Sequence, residues 1–251
     1  MNTYLEVAEL MNDLIPVIIS GLALVLSVIA TVVSMYRKKY ERQRAIRIQL
    51  SETLSSIGST DLEGAKLYHE KAKADPDYYQ SISPILTQQK ASLLNQATYL
   101  IEQIPDLAST VDYVAVAFAS AGAGDLILAD KFYSRAVAVA DVEYYKVVAL
   151  RGYAMFLFTQ TRYEEGREQF QNAVKVLTKR DDFSRYTNGA TYQQWAWHEA
   201  QNAGAMKRAD LMYESALNEY KGISNEHNRG NALRNLEQSR NMAMSSGNEV
   251  D

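Results

Sequence analysis

The chain has 251 residues, no cysteine, 26 basic and 30 acidic residues and a net charge of −4. Without cysteine, thiol catalysis, thiolate metal sites and a disulfide framework are excluded. The charge balance makes the chain a poor partner for nucleic acid, and the length allows an anchor with one or two further domains.

Residues 1–13 carry Glu6, Glu9 and Asp13 and no Lys or Arg. From Leu14 to Tyr36 no residue is charged. A helix of that length covers about 34 Å, enough for a hydrocarbon core of roughly 30 Å. A cleaved signal peptide wants a basic start and a shorter apolar stretch. A buried core helix is commonly shorter or interrupted by polar residues. The run therefore predicts a transmembrane helix over 14–36. Within it Ser20, Ala23, Ser27, Ala30 and Ser34 recur at alternating spacings of three and four. Such a seam of small residues predicts self-association in lipid, as a homodimer.

A basic juxtamembrane helix over 37–57 follows. Between Arg37 and Arg47 six basic residues, Arg37, Lys38, Lys39, Arg42, Arg44 and Arg47, stand against a single acid, Glu41. Basic residues stay on the cytoplasmic side and attract lipid headgroups. The expected arrangement is single-pass, with the N-terminus outside and the rest cytoplasmic. An exported module of inverted topology and a receptor on an organelle's outer membrane remain alternatives.

Residues 58–247 read as helix nearly throughout, so the expected fold class is all-α. Ala, Leu, Glu, Gln and Lys dominate and strand-type alternation is missing. Breakers punctuate the region. Asp75-Pro76 ends one segment. Ser83-Pro84 is expected to start another, with Pro84 at the first helical position, and Pro105 to stop it. Further turns are expected at Gly122–Asp125, near Thr161, at Thr187-Asn188-Gly189, at Asn202–Gly204 and at Lys221-Gly222. Arg229 to Met244, polar around Ala232, Leu233, Leu236 and Ala243, reads as a capping helix.

Three stretches share a spacing. Ala117, Ala129, Tyr133 and Ala136 stand in the first; Ala154, Gly166, Phe170 and Ala173 in the second; Ala209, Tyr213 and Ala216 in the third. Small residues let two helices approach, and the aromatic fills the space between neighbouring pairs. This spacing resembles the tetratricopeptide repeat. The first stretch matches fully. The second has Gly for Ala at 166, and the third has Trp197 where a small residue is expected. Asp61–Pro76 resembles half a repeat, with His69 at an aromatic position. The repeats are spaced wider than the family's 34 residues, and the resemblance covers roughly residues 60–220. It implies an α-solenoid of antiparallel hairpins presenting a concave face to a protein or peptide partner. An irregular helical bundle is the alternative.

Motifs for chemistry are missing. His198-Glu199 begins like a zinc-protease helix, but Asn202 stands where the second His belongs. No glycine-rich phosphate loop is present, and no constellation of nucleophile, base and orienter is legible. Glu164-Glu165 and Asp181-Asp182 read as helix-start and loop surface. The expectation is a binding protein rather than an enzyme, with no cofactor and no metal. In a tetratricopeptide-like stack the first helix of each pair lines the groove. That selects Val114, Phe118 and Ala121, then Arg151, Met155 and Phe158, then Gln194, His198 and Gln201. An amphipathic helix or apolar peptide with an acid near Arg151 suits such a floor. Phe118, Met155 and Phe158 have a second reading as buried core, which their accessibility decides.

Overall fold

A computed structural model describes residues 2–202 and 204–247, with side chains from 26 to 202 and 204 to 245. The fold is all-α: among the described residues there are nine helices and no strand. They are α1 (Asn2–Lys71), α2 (Pro76–Gln103), α3 (Thr110–Gly122), α4 (Leu126–Val139), α5 (Glu143–Thr159), α6 (Tyr163–Val176), α7 (Asp182–Gln201), α8 (Met206–Lys221) and α9 (Glu226–Gly247).

Two compact units divide the chain, 1–49 and 50–251. In the first, the described side chains of the apolar run, from Leu26 to Tyr36, are all exposed, as are the six cations of the basic flank. Among the described residues no helix is long and apolar enough to cross a membrane. The side chains of the predicted span, 14–36, lie outside the described ones up to position 25, as do those of Ser20 and Ala23 of the seam. Ser27, Ala30 and Ser34 are described and exposed.

In the second unit the chain pairs its helices in order. α3 packs on α4, α5 on α6 and α7 on α8. Loops of three or four residues join the partners of each pair, so they run antiparallel. Consecutive pairs meet through α4 and α5, α6 and α7, and α8 and α9. The first helices also touch one another, α3 on α5, α5 on α7 and α7 on α9, whereas α4, α6 and α8 make no such contacts among themselves. One layer is therefore closer-set than the other, and the stack curves with α3, α5, α7 and α9 on its inner side.

Small residues sit at the crossings. Ala117, Ala129, Ala136, Ala154, Ala173, Ala209 and Ala216 have almost no exposed surface. The aromatic that follows each crossing reaches the next element. Tyr133 stacks on Tyr153 and Phe156 of α5, Phe170 on Trp195 of α7, and the Tyr213 hydroxyl lies 3.4 Å from the Ser239 carbonyl of α9. Burial pushes the Tyr133 hydroxyl up to about 12. Capping closes the helix starts. Ser109 and Asp112 form a reciprocal capping box on α3, and Asp125 caps α4 through the Leu128 N–H.

The breaker reading needs four corrections. Ser83-Pro84 starts nothing: α2 begins at Pro76, capped by Asp75, and runs through Pro84. The carbonyl that Pro84 leaves without a donor is that of Gln80, an exposed residue. Thr187-Asn188-Gly189 is no turn but buried helix inside α7. The Thr191 hydroxyl donates to the Thr187 carbonyl, Asn188 Nδ2 donates to the Leu177 carbonyl, and Gly189 leaves room for the Tyr220 ring. Asp61–Pro76 is not half a hairpin, because α1 is unbroken to Lys71, and His69 is exposed rather than packed. Nor is Asp181-Asp182 plain loop surface. Asp181 caps α7 through the Ser184 N–H, and Asp182 accepts from the backbone of Ser224 and Asn225. Those backbone donors hold both carboxyls below the usual carboxylate range.

Candidate partner groove

A cavity of about 640 Å³ opens on the inner layer. Its floor is α5, where Tyr144, Val148, Arg151, Met155 and Thr159 follow one another at three- and four-residue steps down one helix face. α3 supplies one wall through Val111, Val114, Phe118 and Ala121. α7 supplies the other through Gln194 and His198. Tyr133 closes the base from behind, against Gly152, where an added Cβ would stand 3.1 Å from its ring.

Seven of the nine residues selected from sequence line this cavity: Val114, Phe118, Ala121, Arg151, Met155, Gln194 and His198. Phe118 keeps 64% of its surface exposed, far above what a core phenylalanine shows. Met155 is half-buried. α2 lines none of the cavity, so nothing from 84–104 plugs it.

Two selected residues do not belong. Phe158 is fully buried, its ring between Phe170, Tyr163 and His198. Gly166 makes that position possible: a Cβ there would stand 2.6 Å from the Phe158 ring. Gln201 is exposed at the end of α7 and directs its amide toward the Ala243 carbonyl, 3.5 Å away. Tyr144, Val148 and Val111 were missed. Stepping back by three and four residues from Arg151 and Val114 along the same helix faces reaches all three.

Arg151 is the cation of the floor. Its Nε donates to Gln194 Oε1 at 2.9 Å, and no carboxylate lies within ion-pair distance of it among the described residues. Burial pushes its guanidinium below the ordinary arginine value, while Tyr144, Tyr220 and Tyr186 act in the opposite direction. His198 Nδ1 lies 2.9 Å from Asn202 Oδ1. Burial pulls its imidazole below the usual value, against the smaller opposing effect of that hydrogen bond.

Behind the groove lies a buried ion network. Glu199, with no exposed surface, takes a two-pronged contact from Arg167 at 2.7 Å on both oxygens and a further bond from Trp195 Nε1 at 2.9 Å. Arg208 stands 3.9 Å away. These bonds clamp α6 to α7 and hold the helix that carries Gln194 and His198. Sequence reading took Glu199 only as part of a failed zinc motif. Its signal was an acid four residues after Trp195 and three after Ala196, on the face of α7 that those two residues share.

Among the described residues no group of His, Asp and Glu is arranged to hold a metal ion. No protein-family model matches the chain, and no curated protein is significantly similar to it in sequence.

Proposed function

We propose that this chain is a protein-interaction module held at a membrane, binding a peptide or partner helix on the inner layer of its tetratricopeptide-like stack. The supporting observation is the groove itself. It is open, apolar on two helices, and carries one cation without an acid beside it. Tethering at a membrane raises the effective concentration of such a surface around other membrane proteins. The module acts by binding rather than by catalysis: beside Arg151, Gln194 and His198 the groove carries only the hydroxyls of Tyr133, Tyr144 and Thr159, and His198 Nδ1 is engaged by Asn202.

The tether is the uncharged run 14–36. Its support is the length of the run and the asymmetry of Arg37, Lys38, Lys39, Arg42, Arg44 and Arg47 against an N-terminal flank free of basic residues. On that reading the repeats are cytoplasmic, the basic flank meets lipid headgroups, and the small-residue seam from Ser20 to Ser34 pairs two copies.

Phe118→Asp tests the module. The side chain is exposed, so the change leaves the helical circular-dichroism signal intact while placing a charge on the groove wall. Proximity labelling from the membrane-anchored chain is expected to lose its prominent neighbours in this variant. An unchanged labelling pattern would show that binding occurs elsewhere. A cytoplasm-dependent reporter fused after Asp251 tests the orientation; activity of an export-dependent reporter there would invert it.

A further inference from the structure

We infer that the groove's ligand is an amphipathic helix carrying one internal Asp or Glu, taken end-on by the two Nη groups of Arg151. The inference rests on the groove reading above and specifies its ligand. Gln194 Oε1 occupies the Nε donor of Arg151, and among the described residues no hydrogen bond engages either Nη. The side-on face of the guanidinium is therefore used and its end-on fork is the part left to a ligand. A carboxylate matches that fork with two parallel bonds. Gln194 fixes the plane of the fork in advance, so little freedom is lost when the ligand pairs.

Charge sets the ligand at a single acid. The groove offers one cation among mostly apolar and neutral polar side chains, so a second negative charge would be desolvated without an ionic partner. That disfavours a phosphate dianion. Position makes the acid internal. Along α5, Tyr144 lies about 10 Å before Arg151 and Thr159 about 12 Å after it at 1.5 Å per residue. Lining surface continues on both sides of the cation. A terminal carboxylate would leave one half of the floor uncovered; a side chain in mid-ligand covers both.

Secondary structure follows from the walls. α3, α5 and α7 satisfy their own backbone groups and present no strand edge for an extended peptide. Three packed helices offer ridges and furrows into which another helix's side chains fit. Phe118 at 64% exposure leaves the groove too open for an enclosed acyl chain, because pockets for small apolar ligands bury most of the ligand's surface.

The test pans a displayed library of amphipathic helices of roughly 14 residues, about 21 Å long, on the full chain in detergent micelles and in parallel on Arg151→Gln. Helices selected on the native chain are expected to share one Asp or Glu with apolar residues on both sides. Exchanging that acid for its amide should weaken binding by about tenfold or more. The exchange is made on the peptide, so it decides even if Arg151→Gln fails to fold. Helices selected on Arg151→Gln should show no acidic preference, and Arg151→Lys should retain part of it. Selected helices without an acid, displaced by Phe118→Asp, would overturn the anchor and leave the groove reading standing. Selected helices indifferent to Phe118→Asp, or neither a helix selected nor oleate captured, would overturn both. Arg151-dependent capture of fluorescent oleate with no helix selected would overturn the helix in favour of a lipid acid.

Discussion

The hairpins α3–α4 and α5–α6 carry the same register of small residues, yet they distribute volume in opposite ways. In the first, Ala121 stands four residues after Ala117 and lines the groove, while Ala129 is buried on the second helix. In the second, Phe158 stands four residues after Ala154 and Gly166 replaces the second alanine. The large ring enters the helix crossing because the glycine vacates the space. A residue in register with a groove position thus becomes core. Register along one helix does not decide which side chains face a ligand; the volume on the partner helix shares in the decision.

The ties between hairpins differ as well, and the difference supplies the largest expected effect. At the α6–α7 junction Glu199 is fully buried against Arg167. At the α2–α4 junction Glu102 and Lys131 meet at 2.7 Å on the surface. Glu199→Ala leaves the Arg167 guanidinium, only 16% exposed, without its main partner. Breaking such a pair costs about 3–5 kcal/mol. Thermal unfolding of the full chain followed by circular dichroism should show a large loss. A loss under about 1 kcal/mol would place the network with exposed pairs.

Much of this was legible before the structure. The all-α class followed from composition and period, and three hairpins followed from the spacing of alanines and aromatics. Seven residues that line the cavity followed from register alone. The failures share a physical cause. Pro84 and Thr187-Asn188-Gly189 are local signals for a break, and in both places tertiary context prevailed. At Pro84 the freed carbonyl belongs to an exposed residue, Gln80. At Gly189 the missing side chain admits Tyr220, where a Cβ would stand 2.5 Å from the ring. Glycine in a helix pattern therefore had two meanings, a turn at Gly124 with φ +82° and a packing slot at Gly166 and Gly189. Single-sequence pattern does not separate them; the large aromatic at 158 or 220 does.

That distinction predicts a reversal of sign between the two hairpins. Alanine is the better helix former by about 1 kcal/mol. On propensity alone Gly166→Ala should stabilise. With the Phe158 ring in the way it should destabilise by about 1–3 kcal/mol. Ala129→Gly, in the matching position of the first hairpin, should lose only about 1 kcal/mol. Trimming Phe158 to Leu in the Gly166→Ala background should recover part of the loss, since contacting sites couple. Purely additive effects in denaturant titrations would break the volume-exchange account.

A smaller effect separates the junctions by pH. His198 packs against Phe158 and Phe170 and has a depressed folded-state value, with burial as the main cause. Its unfolded value is near 6.5. Between the depressed value and 6.5 the unfolded chain binds more protons than the folded one. Stability from this group is therefore present above 6.5 and lost as pH falls through the folded value. His198→Gln should flatten the fall measured in that window. An unchanged slope would assign it to other groups.

The smallest expected effect lies at the first junction. Lys131 Nζ and Glu102 Oε1 make a short contact, but their side chains are 59% and 50% exposed. Water screens the attraction, and two long side chains lose rotamer freedom in holding it. Lys131→Ala or Glu102→Ala should each cost about 1 kcal/mol or less. Raising ionic strength to 1 M shortens the screening length to about 3 Å, and the coupling energy from a double-mutant cycle should fall toward zero. The Arg167–Glu199 coupling, shielded from water, should keep most of its strength under the same salt. Equal salt sensitivity of the two couplings would show that burial does not distinguish the junctions.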